Sequence, residues 1–265
     1  ASCLDKVQTE GINADLSGCS GCIDVENYHE FDHMKVRDNV KPSGYDKQAD
    51  GLHPWEEPLP TPAISQPLHD TDFDGQYSWS KAPRYDGHAA EAGPLARCIM
   101  NANPNNKDHQ IKDPLFGDIM KKMGPSVFTR VLARVHEAPR LYKFIDQWLS
   151  EIDLDGSFYT KPVEKDGKGF GATEAARGAL AHWIEIKDGV IKNYQVMAPT
   201  TWNVGPNDAK GNPGPIEAAL EGIDIEDPSD PVEVGIVARS FDSCLVCTVH
   251  AHDQKSGVEL SRFKL

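Results

Sequence analysis

Near its C-terminus the chain reads Arg239-Ser240-Phe241-Asp242-Ser243-Cys244-Leu245-Val246-Cys247-Thr248-Val249-His250. Two cysteines separated by two residues, then a histidine at the same interval, put two thiolates and an imidazole on one short turn. That is a ligand set for a soft or borderline transition metal. A c-type haem site needs its histidine directly after the second cysteine, and Thr248 and Val249 intervene here. A thioredoxin-like dithiol follows a strand in a βαβ unit, whereas this pair follows a helical pattern.

Several elements must position this turn. Asp230-Pro231 reads as an N-cap and first residue of a helix through Val237 or Arg239, which delivers Asp242, Cys244 and Cys247. Before it, Pro215 to Leu220 is a short helix with proline near its start and Gly222 past its end. Residues 181–186 and 190–197 flank Lys187-Asp188-Gly189, an Asp-Gly hairpin signal. If 187 faces 190, the register carried outward sets Arg177 opposite Thr200. Ala176-Arg177-Gly178 and Ala198-Pro199-Thr200 then meet at the open end, a donor-rich rim over an anionic or polarised ligand. Upstream, Val127, Phe128, Val131, Leu132 and Val135 recur at helical spacing after Pro125. A second stripe (Leu141, Phe144, Ile145, Trp148, Leu149) follows Ala138-Pro139. Both stripes read as core. A partly helical stretch covers roughly 89–103, and Cys98 in it reads as a buried apolar thiol. His88, His136 and His182 are assigned no role.

The composition sets bounds. At 265 residues the chain can bury a sizeable core, and 39% hydrophobic residues is ordinary for a globular protein. A net charge of −14 argues against a nucleic-acid partner. No run of 18 apolar residues occurs, so no transmembrane segment is expected. The first residues lack both a Met and an apolar signal core, which suggests a fragment, a processed product or a partial reading. Six cysteines in a chain of this length suit metal ligation or reduced thiols better than a disulfide framework. Residues 1–75, rich in Gly, Pro, Asp and His, read as loop-like cover for something else.

The C-terminal motif has three companions. They are the Tyr77–Arg97 block (with Ala82-Pro83-Arg84-Tyr85 and Glu91-Ala92-Gly93-Pro94-Leu95-Ala96-Arg97), Glu174-Ala175-Ala176-Arg177-Gly178-Ala179-Leu180, and Pro199-Thr200-Thr201-Trp202-Asn203. In this order the four resemble the large subunit of nickel–iron hydrogenases, covering most of the chain from about residue 50. The Asp-Ser-Cys form of the last motif looks like the cytosolic uptake group that includes cyanobacterial enzymes. The resemblance implies an α+β fold, mainly helical: the C-terminal half of the large subunit, with a helical core and a β-hairpin, residues 1–265 forming one portion. It also implies roles. Cys244 would be a terminal nickel ligand and Cys247 a thiolate bridging nickel and iron. Arg177 would sit above the metals with Asp242 as a nearby carboxylate. Pro199 and Thr200 would meet a cyanide on an iron that also carries CO, and His250 would bind magnesium. The reaction would be reversible heterolysis of H2 into a proton and a hydride. Electrons would leave through iron–sulfur clusters of a small subunit, in a complex that is cytoplasmic or membrane-associated through its partners.

The departures are specific. The family's other thiolates lie in an Arg-x-Cys-Gly-x-Cys motif that this chain lacks. Gly18-Cys19-Ser20-Gly21-Cys22 is the nearest candidate, but its flanks do not match, so it reads as an extra thiol pair. The chain therefore carries half an active site and needs an N-terminal large-subunit fragment with the other Cys pair. Ala176 stands where many relatives have proline. Residues 251–265, polar with a helix-like end (Val258, Leu260, Phe263), read as a tail that a maturation endopeptidase would remove. Two rival readings remain. One is a zinc-binding structural protein using Cys244, Cys247 and His250. The other is a scaffold like the related complex I subunit, disfavoured because Cys244 and Cys247 are kept.

Overall fold

The computed structural model describes residues 14–15, 31–45, 50–58, 76–102, 114–159, 161, 165–244, 247–252 and 259–264. Within them helices and strands mix, as an α+β fold requires. The central unit is an antiparallel three-stranded sheet in the order β5 (Gly167–Ala175), β6 (Gly178–Lys187), β7 (Val190–Met197). The turn between β6 and β7 forms as its sequence requires: Asp188 and Gly189 both have positive φ, 54° and 73°, the backbone of a hairpin turn that follows the strand twist. β5 is an addition to the expected hairpin. Its three glycines (Gly167, Gly169, Gly171) hide the alternation that marks a strand.

Strand alternation decides what the sheet covers. Ala179, Ala181, Trp183 and Met197 point into a core shared with Val36, Ala90, Ala92 and Trp202. On the same face of β7, Asn193 and Gln195 are buried, and their amides donate to carbonyls of the 54–58 loop. Asn193 Nδ2 reaches Pro54 O at 3.2 Å and Glu57 O at 3.0 Å. Two short strand pairs frame the sheet. β1 (Ala14–Asp15) pairs β4 (Ala90–Glu91), and β2 (Val36–Asn39) pairs β3 (Ala82–Tyr85).

The second core is helical. In α1 (Pro94–Ala102), Leu95, Cys98 and Ile99 pack with Phe116 and Met120 of α2 (Pro114–Met123) and Ala133 of α3 (Val127–Ser150). Cys98 is the buried thiol expected of it. α1 starts at Pro94 rather than at 89, because Ala90 and Glu91 are held in β4. Ser126 caps α3, accepting from Thr129 N at 3.2 Å while Thr129 Oγ1 accepts from Ser126 N at 2.8 Å.

Three expectations about α3 and the tail are corrected. α3 is one helix of 24 residues with Pro139 inside it, not two helices meeting at Ala138-Pro139. Pro139 is exposed and follows Val135 by four positions, so the carbonyl that loses its N–H partner faces solvent. Among the described residues most of the two apolar stripes is not core, although Val127 and Leu132 pack against the helical cores. Phe128, Val131, Val135, Ile145 and Leu149 are exposed, and the buried α3 residues are Thr129, Arg130 and Ala133. Helical spacing identifies an apolar face without saying whether anything covers it. Last, the tail end is not helical: β9 (Glu259–Lys264) pairs antiparallel with β8 (Thr248–His252).

Two short helices close the approach to the cysteines. α5 (Pro215–Leu220) has the expected bounds, and α6 (Val232–Ser240) packs on it through Ile216, Val237, Ala238 and Phe241. Pro231, not Asp230, occupies the N-cap of α6, with no side-chain cap. Between the sheet and α5 lies the one-turn α4 (Pro199–Asn203).

Candidate metal centre

The cysteine turn is set by how α6 ends. Phe241 is buried at the C-cap, and Asp242 follows at φ 59°, a left-handed stop that aspartate tolerates better than most residues. Cys247 N then donates to Cys244 O at 3.0 Å, closing a turn with one thiol at each end. Both cysteines are half-buried and free of disulfides. Burial pushes the Cys247 thiol up, a backbone hydrogen bond at Cys244 opposes this, and the Cys244 charge adds to it. A nearby cation would favour the Cys247 thiolate against this burial. Two soft sulfur donors on one turn fit half of a thiolate site. Among the described residues no cluster of three or more His, Cys, Asp or Glu could hold a metal.

Beside the turn runs a cleft lined by Glu91, Ala92, Gly93, Arg130, Arg134 and Phe241. Arg134 of its lining pairs with Asp242, Nε to Oδ2 at 3.4 Å, while Arg134 Nη2 donates to Ser240 O at 3.0 Å. Arg130, one helical turn earlier, makes a buried two-pronged pair with Glu91 at 2.9 and 2.8 Å. Its Cζ also lies 3.7 Å from the centre of the Phe241 ring. Asn203, fully buried in α4, accepts from Ala92 N at 2.9 Å and donates to Ala92 O at 2.8 Å and Phe241 O at 3.4 Å. One amide thereby links α4, the 92–93 segment and the start of the cysteine turn.

Arg177 reaches this neighbourhood by a different route from the one expected. The β6–β7 register begins as anticipated, Lys187 opposite Val190 and Ile186 opposite Ile191. An irregularity between Glu185 and Ile186 then shifts it, so that Glu185 faces Asn193 and Ala181 faces Met197. Arg177 and Thr200 are therefore not cross-strand partners. Ala176 and Arg177 form the two-residue turn between β5 and β6, where Ala175 pairs with Gly178, and Pro199 and Thr200 begin α4. The register still leaves both segments at the same end of the sheet. Gly178, at φ 129°, packs so closely on the 92–93 backbone that an added Cβ would lie 2.7 Å from Gly93 N. This contact sets the Arg177 turn against the cleft wall. Arg177 is half-buried, and its Nε has no hydrogen-bond partner among the described residues. The backbone of His250 lies in β8 opposite Arg262, and its side chain is outside the described residues, as are Cys19 and Cys22.

Sequence reasoning gave no role to Arg97, Arg130, Arg134 or Asn203. Arg97 and Asn203 stood inside the recognised blocks. The four-residue spacing of Arg130 and Arg134 on α3 was the available signal for a shared face.

A family model for nickel-dependent hydrogenases matches residues 4–250. The chain belongs to the nickel-dependent hydrogenase family. It is 36% identical to the uptake hydrogenase large subunit of Bradyrhizobium diazoefficiens over 280 aligned positions, covering 96% of this chain and 46% of that protein. The quinone-reactive Ni/Fe-hydrogenase large chain of Wolinella succinogenes is 35% identical, covering 91% of this chain and 46% of its own length. Among solved structures, the Ni-Fe-Se hydrogenase of D. vulgaris Hildenborough in the reduced state superposes with a TM-score of 0.66 at 31% identity, covering 91% of this chain and 53% of that one. The chain thus spans about half the length of the curated relatives it matches. The uptake-type names agree with the form of the last motif, and these relatives give no support to a zinc-binding structural protein or a complex I-like scaffold. No described helix is long and apolar enough to cross a membrane.

Proposed function

We propose that this chain is the catalytic C-terminal half of a nickel–iron hydrogenase large subunit. It would work with an N-terminal fragment carrying the second Cys pair and with an iron–sulfur small subunit that takes the electrons from H2. The observation carrying this reading is the Cys244–Cys247 turn, closed directly after the Arg134–Asp242 pair, in a member of this family.

Cys244 would hold nickel, and Cys247 nickel and iron, with CO and cyanide on the iron. When bound, this centre supplies the polarising charge that makes H2 acidic. The chain's own residues would do the rest. Arg177, with an unpartnered buried donor, is suited to orient a reacting group or to donate a hydrogen bond to a nearby acceptor. Asp242, paired with Arg134, would supply the carboxylate. Thr200 would bring a hydroxyl donor to the cyanide, Pro199 the adjoining apolar contact, and His250 an imidazole to magnesium. Cleavage by a maturation endopeptidase after His250 would fall inside β8 and release its pairing with β9. The reading places the complex in the cytoplasm or on a membrane through its partners.

The test is metal content and H2 oxidation of the complex purified from its own cells, with and without Cys244→Ser. Stoichiometric nickel and iron with dye-linked H2 oxidation, both lost in the variant, is the expected result. Zinc alone, or full H2 oxidation by the variant, would overturn the proposal.

A further inference from the structure

Arg97 has no part in the reading above, yet its guanidinium is among the most fully used groups in the chain. Nε donates to Glu137 Oε1 at 2.6 Å and Nη2 to Glu137 Oε2 at 2.7 Å. Nη1 donates to Glu174 Oε2 at 2.8 Å and Ala175 O at 2.9 Å, and Nη2 also to Ala176 O at 3.0 Å. A guanidinium has five N–H donors, so none is left over. Burial works against the charge on Arg97, but the hydrogen bonds and charges of Glu137 and Glu174 outweigh it and raise the pKa.

The two carbonyls in this set belong to the residues directly before Arg177. On the other side of Arg177, Gly178 rests on the backbone of Ala92 and Gly93, and Gly93 O in turn accepts from Arg97 N at 3.0 Å. The first turn of α1 is therefore both floor and clamp for the β5–β6 tip. Ala176 has negative φ and supplies no rigidity of its own, since alanine leaves the turn's backbone free in a way proline does not. We propose that Arg97 is a positioning residue for Arg177: by gripping the carbonyls of Ala175 and Ala176 and anchoring them to Glu137 of α3, it fixes the turn that holds Arg177 against the 92–93 segment. Lysine cannot replace it, because an ammonium reaches one point where the guanidinium fork reaches four acceptor groups in fixed directions.

The proposal rests on the hydrogenase reading for its effect on turnover, and on geometry alone for its effect on the turn. The test compares wild type, Arg97→Lys and Arg97→Lys/Ala176→Pro in the assembled complex. Glu174→Gln is the milder variant if the lysine variant does not assemble. The first readout is amide hydrogen exchange of the peptide spanning residues 174–180, with peptides from α1 and α3 as fold controls. Exchange of that peptide should rise about tenfold or more in Arg97→Lys, equivalent to about 1.4 kcal/mol of lost local stability, while the controls stay unchanged. The second readout is H2 oxidation at unchanged nickel content. A displaced Arg177 should lower kcat by up to about a hundredfold with little change in KM. Proline is compatible with the negative φ at Ala176 and would stiffen the turn, so Ala176→Pro should restore much of both losses. Unchanged exchange at 174–180 would overturn the clamp whatever the activity. Raised exchange with intact turnover would overturn its bearing on Arg177. A nickel-loaded wild type that oxidises no H2 would overturn the hydrogenase reading instead, and the exchange comparison would still decide the clamp.

Discussion

Gly178 offers the sharpest test of how the Arg177 turn is held. Replacing it with alanine does two things that can be separated. Its φ of 129° lies where L side chains are strained, and the new Cβ would sit 2.7 Å from Gly93 N and 2.8 Å from both Ala92 C and Ala92 Cβ. These neighbours are backbone and a fixed methyl, so no flexible side chain can swing away. Strain of about 1–3 kcal/mol and overpacking of about 1–3 kcal/mol together give roughly 2–6 kcal/mol. Gly189 is the internal control: its φ is 73°, but its Cβ would meet nothing within 4 Å. Gly189→Ala should therefore cost only about 1–2 kcal/mol. Thermal unfolding of the two variants in the same complex reads the difference directly: the midpoints of the two ranges differ by about 2.5 kcal/mol, and at about 2–4 °C per kcal/mol Gly178→Ala should melt roughly 5–10 °C below Gly189→Ala. H2 oxidation should fall in the first variant only. If the two melt within about 2 °C of each other and both keep full turnover, the close approach of β6 to the 92–93 segment is not what sets the turn.

Two further outcomes follow from buried charge. Arg130→Met strands Glu91 in the core without its two-pronged partner and removes the cation over Phe241. Chemical denaturation should show a loss of about 3–5 kcal/mol, partly recovered by adding Glu91→Gln, and a loss below about 1 kcal/mol would mean the pair behaves as an exposed one. Asp38 shares the Lys81 ammonium with Glu57 (3.5 and 2.6 Å), and burial, then the Glu57 charge, pushes its pKa up to about 8. An acid whose pKa is raised on folding binds more protons in the native state, so its cost to stability is absent at low pH and grows until the pH passes the folded pKa. Asp38→Asn should thus gain stability relative to wild type as pH rises from about 4 to 8. A gain that shrank over that range in a pH series of melts would contradict the assignment.

The relation between sequence and structure differs from element to element. The Asp188-Gly189 turn, α5 and the buried Cys98 were legible because each depends on local chemistry: positive φ at an Asp-Gly pair, proline at a helix start, a small apolar thiol on a helix. β5 was not legible, because three glycines erase its alternation and it exists only by pairing with β6. The Arg177–Thr200 pairing failed by one residue. A register extrapolated from its turn cannot foresee an irregularity at Glu185, and a single step changes every later partner. The stripe from Phe128 to Leu149 shows the same limit for helices, since amphipathicity fixes which face is apolar and not what covers it.

By itself the sequence determined the kinds of chemistry available: two soft sulfur donors on one turn, an acidic surface, and ordered motif blocks that named the family. Tertiary structure alone decided which groups act together. Arg97, Arg130, Arg134 and Asn203 bind segments distant in the chain, joining α1 to the β5–β6 tip, β4 to α3, and both α3 and α4 to the end of α6. The physical reason is range. Propensity, capping and turn preference act over a few residues, whereas a buried guanidinium or amide must find its acceptors wherever folding brings carbonyls and carboxylates, and no local pattern records that meeting.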